Sequence, residues 1–175
     1  MKRARDWAVL ICMTAAFAFS LVMFQRAVGY ASPWFGLMAM FDVLGTVAMM
    51  RPIFLLKLPG FLRKTYAWEA KGILGVRAFG ALLRGTLLRY LNTLVYLSRA
   101  HDIAAVIAQI EAAELAHYLA VIVLTPYIVL AYRDHSWSAA ACLTAVQIGV
   151  NVYPILHLRW TRIRLGNVAA RQAKA

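Results

Sequence analysis

Acidic residues are scarce in this chain: seven Asp and Glu against nineteen Lys and Arg, with only three glutamates among its 175 residues. Two cysteines, Cys12 and Cys142, both lie in apolar runs, so neither a disulfide framework nor a Cys-based metal knuckle is available. Other signatures are missing outright. There is no G-x-S-x-G elbow, P-loop, G-x-G-x-x-G or C-x-x-C, and no histidine is followed five residues later by aspartate. These absences remove the common hydrolase, nucleotide-binding, redox and His-x4-Asp acyltransferase readings. Charge is sparse as well, at 15% of residues, while 63% are apolar and the mean hydropathy is +0.67. Soluble domains carry roughly 45–50% apolar residues. So short a chain cannot hide that excess in a core, and the apolar side chains are expected to face lipid.

A bilayer core about 30 Å thick takes roughly 20 apolar residues in a helix. Four stretches approach that length, at 7–24, 33–50, 116–132 and 137–158, the second interrupted by Asp42. Gly29, Ser32 and Pro33 supply turn chemistry between the first two, and Arg133, Asp134 and His135 between the last two. A basic head and small residues ending at Ala31 also describe a signal peptide. The run is longer than such peptides carry and Pro33 follows closely, so an uncleaved anchor is the expectation. Of the 19 basic residues, 17 fall in the head, the segment between spans two and three, and the tail. The positive-inside rule then puts both termini and that segment in the cytoplasm.

The expected fold is therefore all-α: a single polytopic domain, 1–175, in the cell (inner) membrane. It has about four transmembrane helices, a cytoplasmic interfacial segment at 57–100 and a basic tail at 159–175. Within the interfacial segment Arg77, Arg84 and Arg99 interleave with Leu74, Phe79, Leu83, Leu88 and Leu91, a pattern suited to basic helices lying on anionic lipid. Topology accounts for the basic charge, so no nucleic-acid partner is expected.

Residues 103–132 read as one long helix on which Glu111, Glu114 and His117 recur at spacing three and share a face. Ionisable groups near hydrocarbon usually face the protein interior or a wet cavity. Glu114 lies within reach of His117 and would fix its tautomer and raise its basicity, as a general base needs. The alternative is that these groups sit solvated at headgroup depth beside the arginines. A di-iron site would need a second Glu-x-x-His and further glutamates, and His101, His135 and His157 are scattered. Neither a metal nor any other cofactor is expected. The last span holds Gln147, Asn151 and Pro154 and runs into Arg159, Arg162 and Arg164. A buried Asn and a Pro there leave polar side chains and a freed carbonyl near the inner face. Arginines at this spacing suit a phosphate, or act only as a stop signal with Trp160 as anchor.

Two of these segments, with a third, resemble a known family. Ala113-Glu-Leu-Ala-His117 resembles the A-E-L-x-H segment of the glycosyl-4,4′-diaponeurosporenoate acyltransferases, small membrane proteins that finish staphyloxanthin-type carotenoids. Residues 151–165 resemble the family's closing N-x-Y-P-I-x-x-Q-R-Y-N-R-x-R-L, and Trp68-Glu-Ala-Lys-Gly72 its aromatic-Glu-x-x-Gly element. The likeness is co-linear over residues 67–165. Leu158 stands where the family tends to have Gln, Thr161 where it has Asn, and the second span is more hydrophobic than the family's.

The resemblance implies transfer of a fatty acyl group, from acyl-CoA or a similar donor, onto a sugar hydroxyl of a glycosylated lipid. It also implies contact with membrane lipid and association with enzymes of the same pathway. The positions it carries over are Glu69, Gly72, Glu114, His117, Asn151, Pro154, Arg159, Arg162 and Arg164. In the enzyme reading His117, oriented by Glu114, is the base and Asn151 donates to the oxyanion. Arg159, Arg162 and Arg164 hold donor phosphates, with Glu69 and Glu111 at the substrate. The rival reading is a non-catalytic membrane subunit that binds a lipid or an enzyme partner, with Glu114 and His117 as an interhelical clamp. A transporter is disfavoured, since no pair of spans shows the symmetry of transporter repeats.

Overall fold

A computed structural model describes residues 2–49, 59–64, 69, 71–72, 75–86 and 103–172. Among these the secondary structure is helical, joined by turns. Helix α1 spans Lys2–Val28, α2 Pro33–Met49, the single turn α3 Gly60–Arg63, and α4 Val76–Gly85. Helix α5 runs Ile103–Arg133 and α6 Trp137–Val146. A π-helical segment, Gln147–Val152, leads without a break into α7, Tyr153–Gln172.

Three helical stretches are long and apolar enough to cross a membrane: Trp7–Val28, Ile103–Arg133 and Trp137–Gln172. Over its described residues α2 runs for 17, fewer than the roughly 20 a span requires. The structure thus supports three of the four expected spans by length. The helix that carries the expected span at 137–158 continues through the basic residues to Gln172. Arg159 and Arg162 do not stop it, being buried against carboxylates from elsewhere in the chain. Within the expected interfacial segment at 57–100, α3 and α4 are helical. Leu74, Leu88, Leu91, Arg99 and His101 lie outside the described residues.

Local chemistry explains the turns. Gly29 adopts φ +75° after α1, where a side chain would be strained, and its N–H bonds Gln25 O at 2.9 Å. Ser32 then caps α2 through a 3.3 Å bond to the Trp34 N–H, and Pro33 takes the first helical position. The end of α5 is a Schellman motif: Ser136 N bonds Ala131 O at 2.9 Å and His135 N bonds Tyr132 O at 3.2 Å. His135 fills the left-handed position, φ 54°, that glycine usually takes. The Tyr30 hydroxyl bonds Asp134, so the two turns meet at one end of the bundle. The chain's first residues, the start of α5 and the end of α7 consequently gather at the other.

The helices close on Phe17, Leu21, Phe35, Val43, Leu124 and Leu143, interleaved with Ala39, Ala120, Ala131, Ala139 and Ala140. Small residues of this kind let helix backbones approach closely. The tightest approach is Gly36 of α2, where an added Cβ would stand 2.6 Å from Cys142 Sγ of α6. Both cysteines are free thiols. The outside is as apolar as the inside: Ile11, Phe19, Phe41, Ile122 and Trp137 are all exposed. A surface of that kind is stable against acyl chains and not against water.

Candidate active site

Pro154 lacks the N–H that an α-helix would give to residue 150, and its ring clashes with that carbonyl. The backbone answers with a π segment immediately before it, in which Tyr153 N reaches back five residues to Ile148 O. The widened turn places Gln147 and Asn151 together against α5, both buried. Facing them, α5 presents Glu111, Glu114, His117, Val121 and Thr125. They are spaced 3, 3, 4 and 4 residues apart, so they stack on one face over about 21 Å. The seam between α5 and the last helix therefore carries a continuous polar row from Glu111 to Thr125, while Val106 and Ile110 pack with Leu158 and Leu165 beyond it.

Its upper part is a directed chain. Gln147 Nε2 donates to Val121 O at 3.1 Å and to Thr125 Oγ1 at 3.2 Å. Asn151 Nδ2 donates to Gln147 Oε1 at 2.8 Å, and Asn151 Oδ1 lies 3.3 Å from His117 Nδ1. A backbone carbonyl only accepts, so Val121 fixes the direction of every later bond. His117 Nδ1 is then the donor, and the neutral ring keeps its lone pair on Nε2. The side chains expected at 117 and 151 thus meet, but with revised partners. Asn151, and not Glu114, orients the imidazole. The Asn151 amide expected to serve an oxyanion already donates to Gln147.

The lower part is ionic and gathers every glutamate in the sequence. Arg159 Nη2 donates to Glu69 Oε2 at 3.1 Å while its Nε stands 2.8 Å from Oε1. Its Nη1 donates to Tyr118 Oη at 2.9 Å and Leu62 O at 3.1 Å, and its Nη2 bonds Lys64 O as well. Arg162 Nη1 donates to Arg63 O at 3.3 Å and lies 4.0 Å from Glu111 Oε1. Glu111 Oε2 pairs with Arg63 Nη2 at 2.6 Å. Glu114 sits between the two arginines, 3.6 Å from Arg159 Nη1 and 3.3 Å from Arg162 Nη2. Arg159 and Arg162 therefore cap the carbonyls left open at the end of α3. Three guanidinium groups and three carboxylates balance. Arg164 is outside this set: it is exposed and lies over the Trp160 ring at 4.8 Å.

Gly72 explains how Glu69 reaches the cluster. Its N–H bonds Glu69 O at 3.1 Å in a turn that needs φ +63°, and an added Cβ would stand 3.1 Å from Trp160 Nε1. Glycine is the residue that fits both demands. The spacing Glu-x-x-Gly is thus a device for turning one carboxylate onto α7. Downstream, α4 packs by Phe79, whose ring stacks on Tyr153 at 5.5 Å and meets His157 edge-on at 6.1 Å.

Sequence reasoning gave no role to Gln147, Tyr118, Thr125 or Arg63. Gln147 lies four residues before Asn151, a spacing that signals a shared face. Arg63 joins Glu111 from 48 residues away, and no local pattern announces it. Among the described residues no group of three His, Cys, Asp or Glu side chains is placed to hold a metal ion.

A helical bundle with an apolar exterior, enclosing an imidazole above a cluster of carboxylates and guanidinium groups, defines an integral membrane protein with a polar site inside it. Its sequence places it further. The model of the CrtO family, described as glycosyl-4,4'-diaponeurosporenoate acyltransferase, matches residues 61–171, and the chain belongs to that family. No curated protein and no solved structure matches it. The matched region contains the whole polar seam, from Arg63 to Arg162, and leaves out α1 and α2.

Proposed function

We propose that the chain is an acyltransferase that esterifies a sugar hydroxyl of a glycosylated carotenoid or a similar glycolipid, using an acyl thioester such as acyl-CoA. The observation that carries this reading is the directed chain from Val121 through Gln147 and Asn151 to His117. It holds one imidazole in one tautomer inside an apolar bundle, which is what a general base requires and more than helix packing needs. His117 Nε2 takes the proton as the acceptor oxygen attacks the acyl carbonyl carbon. The carbon–sulfur bond then breaks, and the imidazolium returns the proton to the departing thiolate. Asn151 and Gln147 are positioning residues, since they act through His117. The charge sidedness of the sequence supports placing the ionic cluster at the cytoplasmic face, where a water-soluble thioester donor arrives.

The test is acyl transfer by the purified protein in lipid nanodiscs, comparing wild type with His117→Ala and Asn151→Ala. Loss of the base is expected to lower kcat by about 10²–10⁴-fold. Asn151→Ala, which removes one of the ring's two hydrogen-bond partners and leaves the Val150 backbone, should lower kcat with little change in acceptor KM. Near-normal turnover by a folded His117→Ala protein refutes the assignment of the base. If that variant also restores the acylated lipid in cells lacking the gene, the non-catalytic subunit is the better description.

A further inference from the structure

The hydrogen-bond chain that orients His117 does not account for the ionic cluster beneath it. Glu114 has no solvent exposure, and neither of its oxygens makes a hydrogen bond. Arg162 is buried too, and its Nε and Nη2 make none either. Native structures rarely leave buried polar atoms in this state. The nearest cations to Glu114 stand at 3.3 and 3.6 Å, close enough to attract it but outside hydrogen-bond geometry. Acceptor capacity on a carboxylate thus lies beside donor capacity on a guanidinium.

The charge balance decides what fits there. Glu69, Glu111 and Glu114 already neutralise Arg63, Arg159 and Arg162. A phosphate would bring further negative charge to within reach of a buried carboxylate, which is strongly unfavourable at low dielectric. A hydroxyl group brings none. It donates to Glu114 and accepts from Arg162 through the same oxygen.

Building on the reading of the chain as a sugar acyltransferase, we propose that Glu114 and Arg162 form a hydroxyl-binding subsite that holds the acceptor's sugar ring. The carboxylate accepts from two adjacent hydroxyls while Arg162 donates back to one of them. Glu114 and His117, three residues apart on one helix face, have Cβ atoms about 5–6 Å apart. A pyranose pinned at Glu114 therefore presents a neighbouring hydroxyl to His117. The roof over the subsite is α3, held on Arg159 and Arg162 by backbone carbonyls and on the Leu115–Ala116 cluster by Leu62, with Phe61 exposed, so entry breaks those hydrogen bonds and lifts one partly buried leucine. Arg159 serves this site as neutralised scaffolding and Arg162 as a hydroxyl donor, neither as a grip on donor phosphate.

The experiment measures binding without donor, so it reads the subsite even where the assignment of His117 fails. The full chain in nanodiscs is titrated with hexyl β-D-glucoside, hexyl phosphate and hexanol, followed by calorimetry and by saturation-transfer NMR. Hexyl glucoside is expected to bind at least tenfold more tightly than the other two. Glu114→Gln should remove at least tenfold of that affinity while leaving hexanol binding unchanged. Arg162→Lys, which keeps the charge and loses the Nε donor, gives the same loss and stands in where Glu114→Gln does not fold. Preference for hexyl phosphate overturns the proposal. So does glucoside binding no tighter than hexanol, the result if only water fills the site, and so does unchanged glucoside affinity in either folded variant.

Discussion

Arg159 is the joint of the molecule, and its replacement by methionine tests whether the ionic cluster is truly buried. The wild-type side chain ties α7 to Glu69 at 2.8 and 3.1 Å, to Tyr118 at 2.9 Å, and to the carbonyls of Leu62 and Lys64. Its side chain is 8% exposed and that of Glu69 5%. Removing one partner of such a pair strands the other, at roughly 3–5 kcal/mol. For a chain of this length each kcal/mol moves the unfolding midpoint by about 2–4 °C, so Arg159→Met should lower Tm by about 6–20 °C. The double variant Glu69→Met/Arg159→Met removes both charges together and should recover part of that loss. The carbonyls of Leu62 and Lys64 stay without a donor, so recovery is incomplete. The assay is a double-mutant cycle read by thermal unfolding in one detergent, with an expected coupling of about 2 kcal/mol or more. Two small, additive effects would mean that the pair is solvated at headgroup depth, and the reasoning about the cluster would fail.

Three further outcomes are expected. Gly36→Ala places a methyl 2.6 Å from Cys142 Sγ and should destabilise the bundle by about 1–3 kcal/mol; Cys142→Ala in the same chain should restore the wild-type midpoint, and no rescue would locate the clash elsewhere. His135→Gly relieves a left-handed backbone at the cost of a ring contact with Trp137 at 5.7 Å, and a net gain of about 0.5–1 kcal/mol is expected by thermal unfolding. Hydrogen bonds from Arg133 and Tyr30 hold the Asp134 carboxyl below the usual carboxylate range. That link therefore stabilises the fold fully above the ordinary carboxylate pKa and is lost as pH falls through the lower folded value. Asp134→Asn should abolish this acid-side loss, and an unchanged pH profile would show that the turn contact contributes nothing.

The membrane character, the turns at Gly29–Pro33 and Arg133–His135, and the long helix from Ile103 were legible because each rests on local sequence: apolar run length, turn residues and helical periodicity. The polar face of that helix was legible for the same reason, since a spacing of three or four residues fixes which side chains align. Partners across the fold were not. Glu114 and His117 are neighbours on one helix, and proximity in sequence suggested that they pair. The structure gives each a closer partner on the last helix, because the π segment before Pro154 rotates Asn151 toward His117. Arg159 and Arg162, meanwhile, reach back to Glu114.

The sequence alone settled how much apolar surface there is, where the chain turns between the first two and the last two helices, and that ionisable groups share one face of α5. These follow from composition and from the fixed geometry of the helix. Only tertiary structure decided that all three glutamates neutralise three arginines, that Glu69 arrives through a glycine turn 90 residues before Arg159, and that Arg164 is left outside. Charge pairing depends on distances between segments far apart in the chain, and no local pattern encodes those distances.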